Sequence, residues 1–262
     1  PNDSTQRIAV NGHANGVAGS KSPAVKRSQS QKRPAKITET AAETIEGIKK
    51  NFSSSDWQAR QQGVEDFETI CKNNGKACAQ DLKVVEAFMA RLNDINSKVA
   101  FNALMAFQNV LPKLAPHFGV ETGLKAIIAD ILKALMAQLP SKNEDLKHLA
   151  EKSLDVCVKH LENNTLIAPF AMETRRGNVK QKPEMLPRLS KLSKTVHPSK
   201  PKLVEMHAIP VIWDLQKDKI GDNSLKKAYE EYVKAIALVV GKQKLFEMAS
   251  SQQKTQLEVI LK

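Results

Sequence analysis

What most constrains this chain is a recurrence. From about residue 38 onward, apolar residues fall at helical spacing, and short polar turns cut the stripes near 54, 95, 141, 177 and 220. The intervals between those turns are 41, 46, 36 and 43 residues. Each stripe marks one buried helix face. Helix pairs repeating at about 40–47 residues are the signature of HEAT or armadillo arrays. Such a pair hides its apolar side only by stacking on its neighbours, which makes a solenoid. The expected fold is all-α: a HEAT-like helical-repeat solenoid of about six helix pairs.

The expected helices run over about 39–51, 57–71, 80–92, 97–111, 120–139, 143–161, 164–173, 184–195, 201–216 and 223–240. Two short helices, about 242–249 and 252–261, close the array. The second helix opens at Ser53-Ser54-Ser55-Asp56-Trp57-Gln58-Ala59-Arg60. Ser55 followed by Gln58 reads as a capping box, and Val64, Phe67, Ile70 and Cys71 form its buried face. Pro112 and Pro210 fall late in, or inside, helical stripes. A kinked helix is tolerated in HEAT stacks, so those helices stand. Low aromatic content, with many Ala, Leu, Lys and Glu, agrees with an all-helical reading.

Residues 1–37 have a different composition, rich in Ser, Gly, Asn, Lys and Pro. A stretch so poor in bulky apolar side chains cannot offset its ordering entropy, so 1–37 is expected to be a disordered basic linker and 38–262 the folded domain. The first residue is Pro1, which reads as a piece of a longer or processed protein. Net charge is +12. Residues 1–37 hold seven basic side chains against one acidic, which places +6 there. A basic balance favours an acidic partner: an acidic protein surface, nucleic acid or an anionic membrane.

Several function classes find no support. Cys71, Cys78 and Cys157 are odd in number and lack metal-ligand spacing, and they read as small buried hydrophobes in a reducing compartment. Six scattered histidines form no metal pair. No P-loop or Gly-x-Ser-x-Gly is present. No cofactor, metal or small-molecule substrate is expected, and the chain is expected not to be an enzyme. The most apolar run, Leu124 to Leu139, is broken by Lys125, Asp130, Lys133 and Gln138, so membrane insertion is not expected. Trp213 reads as core packing among Ile209, Ile212 and Leu215. Tyr229 and Tyr232 read as packing or surface residues.

Binding residues are sought at the turns within pairs, because a helix-pair solenoid brings them out on one edge. That edge would carry Trp57 with Arg60, Ser97 with Lys98, Lys142 with Lys147, then Arg175, Arg176 and Lys180, then Lys226 and Lys227. An aromatic anchor with a file of cations suits a large acidic protein, since Trp and Arg are frequent binding hot spots.

The Asp-Trp-x-x-Arg opening of the second helix resembles the first repeat of TOG domains, six-repeat HEAT-like paddles that bind tubulin. The resemblance covers about 38–262. It implies a tubulin-binding edge made of Trp57, Arg60, Ser97, Lys98, Lys142, Lys147, Lys180 and Lys226. Val211-Ile212-Trp213, and Leu245 to Leu261 with its Ala-Ser-Ser-Gln-Gln-Lys stretch, look like the C-terminal TOG domain of crescerins, the TOG array regulators of axonemal microtubules. The stretch Gly177 to Pro183 departs from the family's usual fourth turn. The resemblance implies αβ-tubulin or microtubules as partner, a role in polymerisation, a monomeric domain, and a place in the cytoplasmic cytoskeleton, at the cilium or axoneme. The competing readings are a HEAT scaffold for another acidic protein and a binder of nucleic acid or anionic membrane working through the basic tail.

Overall fold

The computed structural model describes residues 34–118, 124–217 and 220–262, and every regular element among them is helical. The expected linker falls on residues 1–37, of which 1–33 lie outside the described residues. Helices α1 (Pro34–Phe52) and α2 (Trp57–Gln80) form the first pair, and α3 (Leu82–Arg91) and α4 (Ser97–Leu114) the second. Next come α5 (Leu124–Gln138) with α6 (Glu144–His160), then α7 (Asn163–Arg176) with α8 (Lys182–Val196). Helix α9, over 201–217, contains a π turn at Val204–Ala208 and pairs with α10 (Asn223–Val240). The short helices α11 (Lys242–Glu247) and α12 (Ser251–Ile260) end the array.

The first helices of the pairs stack in order, α1 on α3, α3 on α5, α5 on α7, and α7 on the π turn of α9. The second helices do the same, α2 on α4, α4 on α6, α6 on α8, and α8 on α10. This two-layer stack is the solenoid that the repeat spacing predicts. One apolar core runs from Ala41 to Leu257. In the first two repeats it centres on Phe52, Phe67 and Phe88, whose rings lie 4.8–6.1 Å apart. Burying a side chain of that size contributes about 1.5–3 kcal/mol. The three cysteines are buried and unbridged, as small core residues.

Side-chain caps fix where the second helices begin. Asp56, Asn96, Asn143 and Asp222 each accept from a backbone N–H two or three residues on. Ser250 forms a capping box with Gln253. Each cap satisfies an orphan donor of the first turn and contributes about 1 kcal/mol. Five of the six within-pair turns therefore end on a capping residue at the helix start. The fourth has no side-chain cap, and α8 starts on Lys182-Pro183 instead, where proline's missing N–H costs nothing.

The structure corrects several local expectations. The cap of α2 is Asp56, not Ser55: its extended backbone (φ −75°, ψ 123°) lets the carboxylate accept from Gln58 N–H. Helix α2 continues past Cys71 to Gln80, through a kink at Asn74 (φ −128°, ψ 36°). Gly75 sits at that kink because a Cβ there would come within 2.6 Å of the Lys113 carbonyl oxygen. Helix α7 extends through Arg175 and Arg176, which shortens the expected fourth loop to 177–181. Helix α1 begins at Pro34, ahead of the expected start near 39. Pro210 is accommodated by the π turn just before it, where the regular bonding ladder widens. The buried Tyr232 hydroxyl donates to the Ala208 carbonyl at 2.8 Å and ties α10 to that widened turn.

Candidate protein-binding edge

Hydrogen bonds between repeats join the within-pair turns into one edge. Gln138 Nε2, at the end of α5, donates to Asn93 Oδ1 in the second turn at 2.8 Å. Gln181 Nε2, in the fourth turn, donates to the Met136 carbonyl of α5 at 2.8 Å. The third, fourth and fifth turns share a groove of about 320 Å³ lined by residues that include Ser141, Lys147, Lys180, Glu184 and Asp222. The corners of the stack thus come out on one side.

At the N-terminal end of this edge the first and second turns meet. Trp57 is half-buried, its ring seated against the core and its outer part open. Lys98 Nζ stands 5.1 Å from the indole centroid, at cation–π distance. In the turn just before Lys98, Ile95 is 98% exposed, the most exposed of the large hydrophobic residues described. An isoleucine at the tip of a polar turn gains nothing from packing within the chain. Trp57 with Lys98, and Ile95 exposed in the turn that leads to Lys98, give this end of the edge apolar and cationic parts.

An ionic network joins these two turns. Arg60 is only 7% exposed. Its Nε and Nη2 donate to the two carboxylate oxygens of Asp94, both at 2.8 Å. Its Nη1 donates to the Ser54 and Ser55 carbonyls at 3.1 and 2.9 Å. Arg91 Nη1 adds a bond to Asp94 at 2.8 Å, and Asn96 N–H adds another at 2.9 Å. Burial alone would raise the Asp94 carboxyl. The Arg60 hydrogen bonds, the Asn96 N–H and the charge of Arg91 outweigh it and hold the group below the usual carboxylate range. Arg60 is expected to meet a partner; within the fold its guanidinium binds the first turn to the second.

The other expected site residues fall into three situations. Ser97, Lys142, Lys180 and Lys226 are exposed at their turns. Lys147 is half-buried, 3.9 Å from Glu151, and shares the groove with Lys180. Arg175 and Arg176 are ion-paired within the fold, to Asp214 and Glu173. Glu144, Glu184 and Asp222 line the same groove, so this half of the edge mixes both signs of charge rather than presenting cations alone. Sequence reasoning missed Ile95 and, in the fourth turn, Val179, which is 49% exposed. The available signal was a β-branched apolar residue lodged inside Asn93-Asp94-Ile95-Asn96, off both flanking stripes.

Among the described residues, no group of His, Cys, Asp and Glu could hold a metal ion. No described helix is long and apolar enough to cross a membrane.

No family model matches the chain. Among solved structures it is similar to one reported under the words "TOG-tubulin binding specificity promotes microtubule dynamics and mitotic spindle formation", with TM-score 0.61 and 15% identity over 84% of this chain and 89% of that one. It is also similar to the MAST/Orbit N-terminal domain, with TM-score 0.55 and 19% identity over 81% of this chain and 94% of that one. The crescerin-like protein che-12 of Caenorhabditis elegans is 32% identical over 87% of this chain. The chain has the TOG-like HEAT fold. The human TOG array regulator of axonemal microtubules protein 1 is 25% identical over 96% of this chain. The domain spans 18% of the worm protein and 16% of the human one, so it corresponds to one segment of much longer chains.

Proposed function

We propose that this chain is a TOG domain, a non-catalytic module that binds αβ-tubulin along its turn edge and regulates microtubule polymerisation, at the ciliary axoneme. The observation that carries the reading lies at the first two turns: Lys98 over the Trp57 indole, with Ile95 98% exposed in the second turn. An aromatic anchor and an unpartnered aliphatic side chain supply the apolar centre of an interface. Exposed Lys142, Lys180 and Lys226 continue the edge and steer an acidic partner. The TOG fold supports the reading, as do the names of the relatives, which are regulators of axonemal microtubules.

The test is gel filtration and fluorescence binding of the whole chain with αβ-tubulin. Trp57→Ala and Ile95→Asp are each expected to weaken binding about tenfold or more, the range for truncating a central hot spot. Undiminished co-elution of both variants, with circular dichroism unchanged, would overturn the assignment.

A further inference from the structure

The opposite edge of the solenoid, where the connections between pairs lie, carries a second charged surface. Helices α4, α6 and α8 pack side by side, and their C-terminal ends emerge there together. Lys113 and Lys159 lie at the ends of α4 and α6, and Lys194 at the end of α8. Lys200 and Lys202 follow, at the start of α9. All five lysines are exposed, and none has an ion-pair partner among the described residues. The nearby carboxylates are already engaged. Glu162 accepts three hydrogen bonds as the cap of α7, Glu205 is held by Lys244 at 3.2 Å, and Asp155 by Arg188 at 2.8 Å. Burial, with help from the neighbouring Lys159, lowers the pKa of His160 and disfavours charge on its ring.

Helix electrostatics account for part of this. Cations in a last turn complement the negative end of the helix dipole, which suits Lys113, Lys159 and Lys194. Lys200 and Lys202 sit at the opposite pole, where a cation is disfavoured. Their presence continues the row against the local preference.

We infer that this edge is a second docking surface, and that its occupant is an extended acidic polypeptide segment rich in Asp or Glu. Neighbouring helix axes lie about 8–10 Å apart, and an extended chain advances about 3.3 Å per residue. An acidic residue at every third position of such a segment therefore meets the lysine of the next repeat. The cations here are all lysines, flexible point charges suited to scattered carboxylates. Arginine, whose fork matches phosphate, is absent from the row. The inference does not depend on the tubulin reading, because it uses the other edge of the fold.

The experiment uses the full 262-residue chain and a fluorescent poly-glutamate peptide at low salt, read by anisotropy. Replacing Lys159, Lys194, Lys200 and Lys202 together by Gln is expected to weaken peptide binding about tenfold, since each exposed pair contributes little alone. Replacing the same four by Arg keeps the charge and is expected to keep the binding. Trp57→Ala is expected to leave it unchanged. Three results would overturn the inference: full peptide affinity in the Gln variant, loss of binding only when Lys26, Arg27, Lys32 and Arg33 are neutralised, or preferential capture of a single-stranded oligonucleotide of equal charge by the same lysines.

Discussion

Replacing Arg60 by Ala should damage the fold before it damages any interface. The substitution removes two hydrogen bonds to the Asp94 carboxylate and two to the serine-turn carbonyls. It also strands Asp94, whose side chain is 1% exposed. Breaking a buried ion pair by deleting one partner costs about 3–5 kcal/mol. Arg91 and the Asn96 N–H remain on Asp94, so a loss of about 2–4 kcal/mol is expected. Urea unfolding followed by circular dichroism measures it as a lower midpoint. In the double variant Arg60→Ala with Asp94→Ala, the combined loss should be smaller than the sum of the single losses, because the stranded charge is gone. The pH dependence has a definite sign. The folded Asp94 carboxyl is held below its unfolded value of about 3.9, so its stabilisation is complete above that pH and fades as pH falls through the depressed value. Wild type should lose stability on acidification below about pH 4, and Asp94→Asn should lose less of it. An Arg60→Ala protein with an unchanged urea midpoint and lost tubulin binding would refute this, and would return Arg60 to the binding surface.

Three further outcomes are expected. In a double-mutant cycle on tubulin affinity, Trp57→Ala and Lys98→Gln should be non-additive by about 0.5–1 kcal/mol, because the ammonium stands over the ring that is removed. Gly75→Ala should destabilise the chain by about 1–3 kcal/mol in urea, since the new Cβ would collide with the Lys113 backbone, which cannot rotate away. Tyr232→Phe should lower the urea midpoint by the equivalent of about 1 kcal/mol, the cost of one buried hydroxyl bond to the π turn.

How much of this was legible in the sequence depends on the range of the interaction. The repeat, the pairing and the buried faces were legible because each rests on local apolar spacing: Val64, Phe67, Ile70 and Cys71 are all buried as their spacing demands. Trp57 could be singled out because it lies off that stripe. The role of Arg60 was hidden because its partner Asp94 is 34 residues away, in another repeat. From sequence alone, an exposed binding arginine and a buried structural one look the same. Ser55 and Asp56 are both capping residue types, and what separates them is backbone angle, which composition does not encode. The apolar stripe of α2 stops short of its true end because the kink at Asn74 breaks the 3.6-residue phase there. The mixed charge of the third-to-fifth groove was missed for the same reason as Arg60, since Glu144, Glu184 and Asp222 come together only through stacking.

The buried ion pair explains why a mobile-looking serine turn can present a binding patch at all. A side chain at a loop tip loses conformational entropy when a partner holds it, and that cost comes off the affinity. Here the entropy of the backbone beneath the patch is lost on folding instead. Arg60 holds the Ser54 and Ser55 carbonyls on one side and both oxygens of Asp94 on the other. The caps Asp56 and Asn96 fix the helices that carry Trp57 and Lys98. Ile95 then projects between an acid locked beneath it and a cap locked after it. The same logic separates the two edges of the molecule. The turn edge is tied by hydrogen bonds between its first four turns and suits a folded partner of defined shape. The lysine row has no such cross-links among its five ammonium groups, so it recognises charge spacing and suits a partner without a fixed fold.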